Sequence, residues 1–187
     1  VYNSAASHML SAIVQKRSGL PLEDYLTPRL FAPLGIRPAY WQKDPLGIST
    51  GGWGLNLRIE EIARFGQFLL QKGAWNGVQL LPAEWIEKAS SKQVSNGDDP
   101  QNDWNQGYGY QFWRCRHNIF RGDGAFGQYC IVMPDQEAVL AMNFGTENMQ
   151  AVLNVVWDKL LPAIQDTRLN EAPRNESRLR KKLGGLK

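Results

Sequence analysis

The stretch FGQYCIVMPDQEAVLAMNF, residues 126–144, decides the fold class. Residues 126–133 and 138–144 are apolar runs rich in β-forming side chains, and Pro134-Asp135-Gln136 separates them. Two such runs around a polar turn are typical of a β-hairpin. The second half of the chain is therefore predicted to contain an antiparallel sheet.

Helical periodicity surrounds this hairpin on both sides. Apolar residues recur at helical spacing in residues 4–17, 22–32, 59–72, 82–89 and 148–164. Apolar and polar residues alternate in residues 108–113, which predicts one more strand. Helices, then antiparallel strands, then a closing helix indicate an α+β fold with the helices on one face of the sheet.

The charge distribution divides the chain into two parts. Residues 1–164 form a body close to neutral, and residues 165–187 form a charged tail that holds either a short helix near 176–183 or no ordered structure. The net charge is only +3 and lies largely in the tail, so we expect no nucleic-acid partner. No apolar run approaches the roughly 18 residues of a membrane helix, so we expect no membrane span.

Composition limits the function further. A chain of 187 residues with 43% hydrophobic residues can bury the core of one ordinary domain. Its two cysteines exclude a disulfide-dense scaffold, and Cys115 and Cys130 are either a pair or, the reading we favour, two buried thiols. Two cysteines and two histidines are few for a typical site of three or four ligands, so we expect no metal and no cofactor.

The residues alone reveal no complete set of nucleophile and base. No serine stands three residues before a lysine, and no Gly-x-Ser-x-Gly motif occurs. His8 and His117 are the only histidines, and neither has an evident serine and aspartate around it in the sequence.

Five stretches, in order, nevertheless resemble one family. They are YNS (2–4) leading into MLSAIV (9–14), FAPLGI (31–36), STGG (49–52) running into IARFGQFLL (62–70), GYGY (107–110) and GDGAFGQY (122–129). Together they resemble the second half of the serine β-lactamase-like and penicillin-binding-protein-like hydrolases, in the class C and esterase branch. The resemblance implies that residues 1–164 form part of the helical subdomain, the C-terminal strands and a closing helix of that fold. The nucleophilic Ser-x-x-Lys of such enzymes precedes Tyr2, so this chain is expected to be a C-terminal portion without it.

The resemblance also implies catalytic roles near the start of the chain. Tyr2 matches the family's catalytic tyrosine, as base or proton relay, and Ser4 stands where the family usually has a hydrogen-bonding Asn. A free tyrosine has a pKa near ~10 and needs nearby positive charge to ionise at neutral pH. With the upstream lysine absent, we expect Tyr2 to be a neutral phenol in this chain.

A second group of implied site residues lies at the predicted hairpin. Asp123-Gly124-Ala125 occupies the place of the family's Lys-Thr-Gly or His-x-Gly motif, so the usual cation is missing, and Arg121 is a partial substitute. The strand around Ala125 and Phe126 is expected to give a backbone N–H to an oxyanion.

Two functions remain open at this point. The first is acyl transfer on a small-molecule amide or ester, either a β-lactam, a D-amino-acid peptide or a simple ester, with this chain inactive by itself. The second is a non-catalytic module that binds a ligand through an aromatic cleft or forms a homodimer through an exposed sheet edge. The tryptophans in or near loops, which either cover the core edge or wall the cleft, are Trp41, Trp53, Trp75, Trp104 and Trp113.

Overall fold

The computed structural model describes residues 2–38, 40–165 and 173–185. The α-helices are α1 (Ser4–Ser18), α2 (Leu22–Leu26), α3 (Ala32–Leu34), α4 (Ile59–Leu70), α5 (Ala83–Ser90), α6 (Met149–Val155) and α7 (Pro173–Gly184). The strands are β1 (Tyr40–Trp41), β2 (Leu55–Asn56), β3 (Ala74–Trp75), β4 (Val78–Gln79), β5 (Trp113–Arg114), β6 (Phe120–Gly124), β7 (Gln128–Met133) and β8 (Ala138–Met142). None of the helices in these residues is long and apolar enough to cross a membrane.

The hairpin predicted from residues 126–144 is confirmed as β7 and β8. These strands belong to a four-stranded antiparallel sheet in the order β5-β6-β7-β8, with Ile131 opposite Leu140. A single turn of 3₁₀ helix, Pro134–Gln136, connects β7 to β8, and Glu137 leaves it in the left-handed region. The polar turn predicted between the two apolar runs is therefore where the chain reverses.

The sheet is covered by helices on both faces, so the expectation of helices on one face was wrong. Phe120 and Val132 share one hydrophobic cluster with Phe68 of α4. Ile131 shares a second cluster with Leu153 of α6. Because successive side chains of a strand point to opposite faces, the continuous apolar run of β7 fills both clusters at once.

Two other sequence expectations are modified by backbone geometry. The predicted strand over residues 108–113 is wrong except at its end, since Gln111 has φ 67° and only Trp113–Arg114 joins the sheet. The helix predicted over residues 22–32 contains a π-helical turn, Thr27–Phe31, which accommodates Pro28.

The two cysteines are buried free thiols on different faces of the sheet. Cys115 lies in the cluster under α6, whereas the Cys130 sulfur lies 3.5 Å from the Ile62 carbonyl oxygen of α4. Burial raises the pKa of Cys115 to about 11 and that of Cys130 to about 12. Neither thiol is placed to form a disulfide with the other.

A fully buried carboxylate, that of Asp103, connects the loop before β5 to the sheet and to the closing helix. It accepts hydrogen bonds from Arg116 Nη2 at 2.9 Å, Gln150 Nε2 at 2.7 Å and Trp157 Nε1 at 2.9 Å. The Asp103 carbonyl oxygen also accepts from Arg121 Nη1 at 3.1 Å. We call these five residues the Asp103 network; three segments distant in sequence depend on it for their relative positions.

We predict that Asp103→Asn destabilises the chain by about 3–5 kcal/mol, because it leaves the half-buried Arg116 guanidinium without its counter-charge and disrupts a buried hydrogen-bond network. Urea unfolding at pH 7 measures this loss. Asp98→Asn is the matched control: Asp98 is exposed in the same loop, and its substitution is expected to change stability by less than ~0.5 kcal/mol. Equal stability of the two variants would contradict the role given to Asp103.

The difference between wild type and Asp103→Asn is also predicted to depend on pH. Burial alone would raise the pKa of Asp103, but hydrogen bonds from Arg116, Gln150 and Trp157 outweigh it and the pKa is lowered from 3.8. A carboxyl group whose pKa is lower in the folded than in the unfolded state stabilises the protein at pH values above its unfolded-state pKa. This stabilisation is lost as the pH falls through the folded-state pKa. The difference in unfolding free energy between wild type and Asp103→Asn should therefore be largest at pH 6–7 and should decrease below pH ~4.

Candidate functional site

A cleft of about 530 Å³ opens where the start of α1, the glycine-rich loop before β2 and the end of β6 meet. Of the six site residues expected from the sequence, five line this cleft: Tyr2, Ser4, Asp123, Gly124 and Ala125. They come from segments about 120 residues apart in the chain. The fold thus brings the two groups of implied site residues to one place.

Tyr2 lies just before the residue that caps α1, and its hydroxyl contacts the glycine-rich loop. The phenol O–H donates to the Gly52 carbonyl oxygen at 2.8 Å. Asn3 caps the helix by accepting from Ala6 N at 3.0 Å, which fixes the chain direction beside Tyr2.

Helix α1 rests directly on the backbone of the glycine-rich loop. Ser11 Oγ donates to the Ser49 carbonyl oxygen at 2.6 Å, and a Cβ placed on Gly52 would lie 2.7 Å from the Ser4 carbonyl oxygen. Only glycine permits this approach. Ser4 is the first residue of α1, is exposed, and lines the cleft next to that contact.

A histidine–aspartate contact that the sequence did not reveal joins α1 to the same loop. His8 Nε2 lies 3.1 Å from Asp44 Oδ2, and the His8 ring lies 5.9 Å from that of Trp53. The Ile48 N–H and other partners lower the pKa of Asp44 below its ordinary value. The sequence shows no aspartate near His8, because 36 residues separate His8 from Asp44.

Asp123 lines the cleft, and its largely buried carboxylate pairs with Arg121 on the same face of β6. Arg121 Nε donates to Asp123 Oδ2 at 3.0 Å, and Nη2 lies 2.9 Å from the same oxygen. Burial raises the pKa of Asp123, and the charge of Arg121 opposes that rise.

Arg121 does not replace the missing cation, contrary to the sequence interpretation. Its side chain is fully buried, with the guanidinium 4.5 Å from the Trp104 ring centre. It also lies 3.0 Å from the Cys115 sulfur. The guanidinium belongs to the Asp103 network and is not part of the cleft lining.

Phe126 is the one expected site residue whose side chain lies outside the cleft lining. It is 55% exposed and has φ 64°, at the turn that connects β6 to β7. The Phe126 carbonyl oxygen accepts from Thr146 N at 3.1 Å, which ties the turn to the segment after β8. Only the backbone of Phe126 is therefore available near the end of β6.

The tryptophans divide between the two readings given to them. Trp41 and Trp53 line the cleft, and Trp53 is 47% exposed there. Trp75 packs against the cluster under α4, Trp104 against the cluster under α6, and Trp113 edge-to-face on Tyr108. The aromatic wall of the cleft therefore consists of two tryptophans and Tyr2.

We predict that Gly52→Ala lowers stability by about 1–3 kcal/mol, since the added methyl group forces α1 away from the loop. Thermal unfolding measures the loss. Gly145→Ala is the control, because a Cβ at Gly145 would have no neighbour within 4 Å and its φ is not positive. A Gly52→Ala protein as stable as the Gly145→Ala protein would show that α1 does not depend on this contact.

Comparisons with known proteins identify the family and the fold. The family model described as Beta-lactamase matches residues 1–159. A candidate 6-aminohexanoate-dimer hydrolase from Bacillus anthracis superposes with a TM-score of 0.70 at 25% identity, over 86% of this chain and 43% of that one. A β-lactamase from Mycobacterium bovis superposes with a TM-score of 0.62 at 19% identity, over 85% of this chain and 64% of that one. An octameric penicillin-binding protein homologue from Pyrococcus abyssi superposes with a TM-score of 0.63 at 18% identity, over 84% of this chain and 42% of that one.

This chain spans about two-fifths to two-thirds of the length of these solved structures. The comparison with curated proteins found no match. Since the family model covers residues 1–159 of 187, the chain belongs to the β-lactamase family and has the β-lactamase/transpeptidase-like fold.

Proposed function

We propose that this chain is the C-terminal part of a serine hydrolase that transfers an acyl group from an amide or ester to water. The observation that carries the proposal is the cleft in which the Tyr2 phenol faces the end of β6. Family membership supports it, as does the likeness to the candidate 6-aminohexanoate-dimer hydrolase. The substrate classes considered are β-lactams, D-amino-acid peptides and esters.

In the proposed reaction, this chain provides the proton relay and the oxyanion contact, and the nucleophile lies outside residues 1–187. A serine oxygen attacks the substrate carbonyl carbon, the bond to the leaving group breaks, and water later releases the acyl group. Tyr2 relays protons: its hydroxyl passes one to the leaving atom and takes one from the nucleophile. In the structure the Tyr2 hydroxyl donates to the Gly52 carbonyl oxygen. A positive charge near a phenol favours its ionisation.

The turn after β6 is the proposed source of oxyanion stabilisation. Within the described residues, neither Ala125 N nor Phe126 N donates to a backbone carbonyl oxygen. A free N–H at the edge of a cleft stabilises the negative charge that develops on the carbonyl oxygen during acyl transfer. We assign the exposed hydroxyl of Ser4, across the cleft, to a hydrogen bond with the substrate.

We predict that Tyr2→Phe in the full-length protein lowers kcat on p-nitrophenyl esters by about 10²- to 10⁴-fold, because the proton relay is lost. Tyr40→Phe is the matched control, since Tyr40 is 60% exposed and lies outside the cleft lining. Steady-state kinetics separates kcat from KM. Residues 1–187 alone are expected to hydrolyse nothing, and wild-type kcat in Tyr2→Phe would remove Tyr2 from the mechanism.

A second candidate, which the structure favours for the chain by itself, is self-association. Within the described residues β8 pairs with β7 alone, so its outer edge is open. An apolar groove of about 400 Å³ adjoins the edge, with Phe144 and Val155 exposed on it. Open strand edges beside apolar surface pair readily with another chain. We propose that two copies of residues 1–187 bury this edge in a homodimer.

We predict that residues 1–187 sediment as a dimer and that Val155→Glu shifts them to monomer, because a carboxylate in the buried groove is costly. Leu46→Glu, at an exposed position outside the groove, should leave the dimer intact. Sedimentation velocity distinguishes the species. A wild-type chain that stays monomeric at 50–100 μM, roughly the range in which weak dimers form, would contradict the proposal.

A further inference from the structure

The wall that this chain gives to the cleft contains no unpaired charge among the residues that the structure describes. Its one ionisable carboxylate or cation is Asp123, and the Asp123 carboxylate is held by Arg121. The rest of the wall is formed by aromatic and aliphatic side chains, by glycine backbone and by the uncharged polar side chains of Ser4, Thr50 and Gln128. Trp53 is its most exposed aromatic ring.

Arg121 is not able to turn toward a ligand without disrupting the interior. Its guanidinium donates to the Asp103 carbonyl oxygen at 3.1 Å and to the Cys115 sulfur at 3.0 Å, beneath the Trp104 ring. Exposing it would leave the Asp123 carboxylate buried without a partner, which costs several kcal/mol. The wall therefore remains uncharged when a ligand enters.

A ligand carboxylate is recognised by charged or multiple N–H donors, and it loses solvation wherever these are missing. An uncharged group loses far less solvation free energy when it enters the cleft, and it gains contact with Trp53 and Leu55. We propose, resting on the hydrolase function above, that this wall selects substrates whose seated group is uncharged and discriminates against a free carboxylate at that position. Neutral esters and amides are the substrate class that this wall fits.

The test uses the full-length enzyme and two matched substrate pairs. One pair is p-nitrophenyl hydrogen glutarate and its methyl ester, which differ in charge on the acyl side. The other is 4-carboxyphenyl acetate and 4-carbamoylphenyl acetate, which differ on the leaving-group side. We expect kcat/KM to favour the neutral member by about 10-fold or more in at least one pair, and the carboxylate in neither.

A variant of the wall tests the electrostatic cause. Gln128 lines the cleft and is exposed, so Gln128→Lys adds an ammonium group there, and Gln128→Met adds similar length without charge. The lysine variant should shift the ratio of kcat/KM about 10-fold toward the carboxylate, and the methionine variant should not. Because both members of a pair are measured on one enzyme, a general loss of activity cancels in the ratio.

The outcomes separate this inference from the function on which it rests. Ester hydrolysis with a preference for the carboxylate, or with no preference in either pair, overturns the uncharged-substrate inference and leaves the hydrolase function standing. A ratio unmoved by Gln128→Lys also overturns it. Absence of hydrolysis of every ester overturns the hydrolase function and, with it, the inference.

Discussion

The hydrogen bonds around the buried Asp103 carboxylate are the constraint on which the rest of the structure depends. They join an irregular loop, the β5–β6 hairpin and the helical segment that closes the second cluster. A buried anion is tolerated only when its partners are all in place, so the network permits one arrangement of these three segments. Arg121 extends that arrangement along β6 to Asp123, and the strand therefore ends at a defined point beside the cleft.

The opposite side of the cleft depends on close backbone contact. Gly52 lets α1 touch the loop, and the same residue accepts the Tyr2 hydroxyl. His8 and Asp44 add a polar contact one turn further along the helix. Ser4 therefore lies on α1, Tyr2 lies two residues before that helix, and Ala125 lies in the turn after β6.

Local periodicity made much of the fold predictable from the sequence. Helices α1 and α4 and the hairpin of β7 and β8 each show a repeat that their own residues specify. The packing of helices on both sheet faces was not predicted, because it depends on which face α6 packs against, and local periodicity does not specify that face. The strand expected at residues 108–113 failed because Gln111 adopts a left-handed conformation.

Only those residues of the candidate site that lie in family motifs were predictable from the sequence. They indicated the residues at both ends of the cleft, and five of them line it. Arg121 was given the wrong environment, although its spacing of two from Asp123 places both side chains on one face of a strand. The contact between His8 and Asp44 has no local signal, since only the folded chain brings them together.

In the proposed function, acyl transfer takes place between Tyr2 and the end of β6. A crystal structure of the full-length protein with a serine-reactive phosphonate adduct tests it most directly. We expect the phosphonyl oxygen within hydrogen-bond distance of Ala125 N or Phe126 N, and the Tyr2 hydroxyl facing the leaving-group position. An adduct in another cavity, or one in this cleft that contacts neither the turn nor Tyr2, would contradict the account.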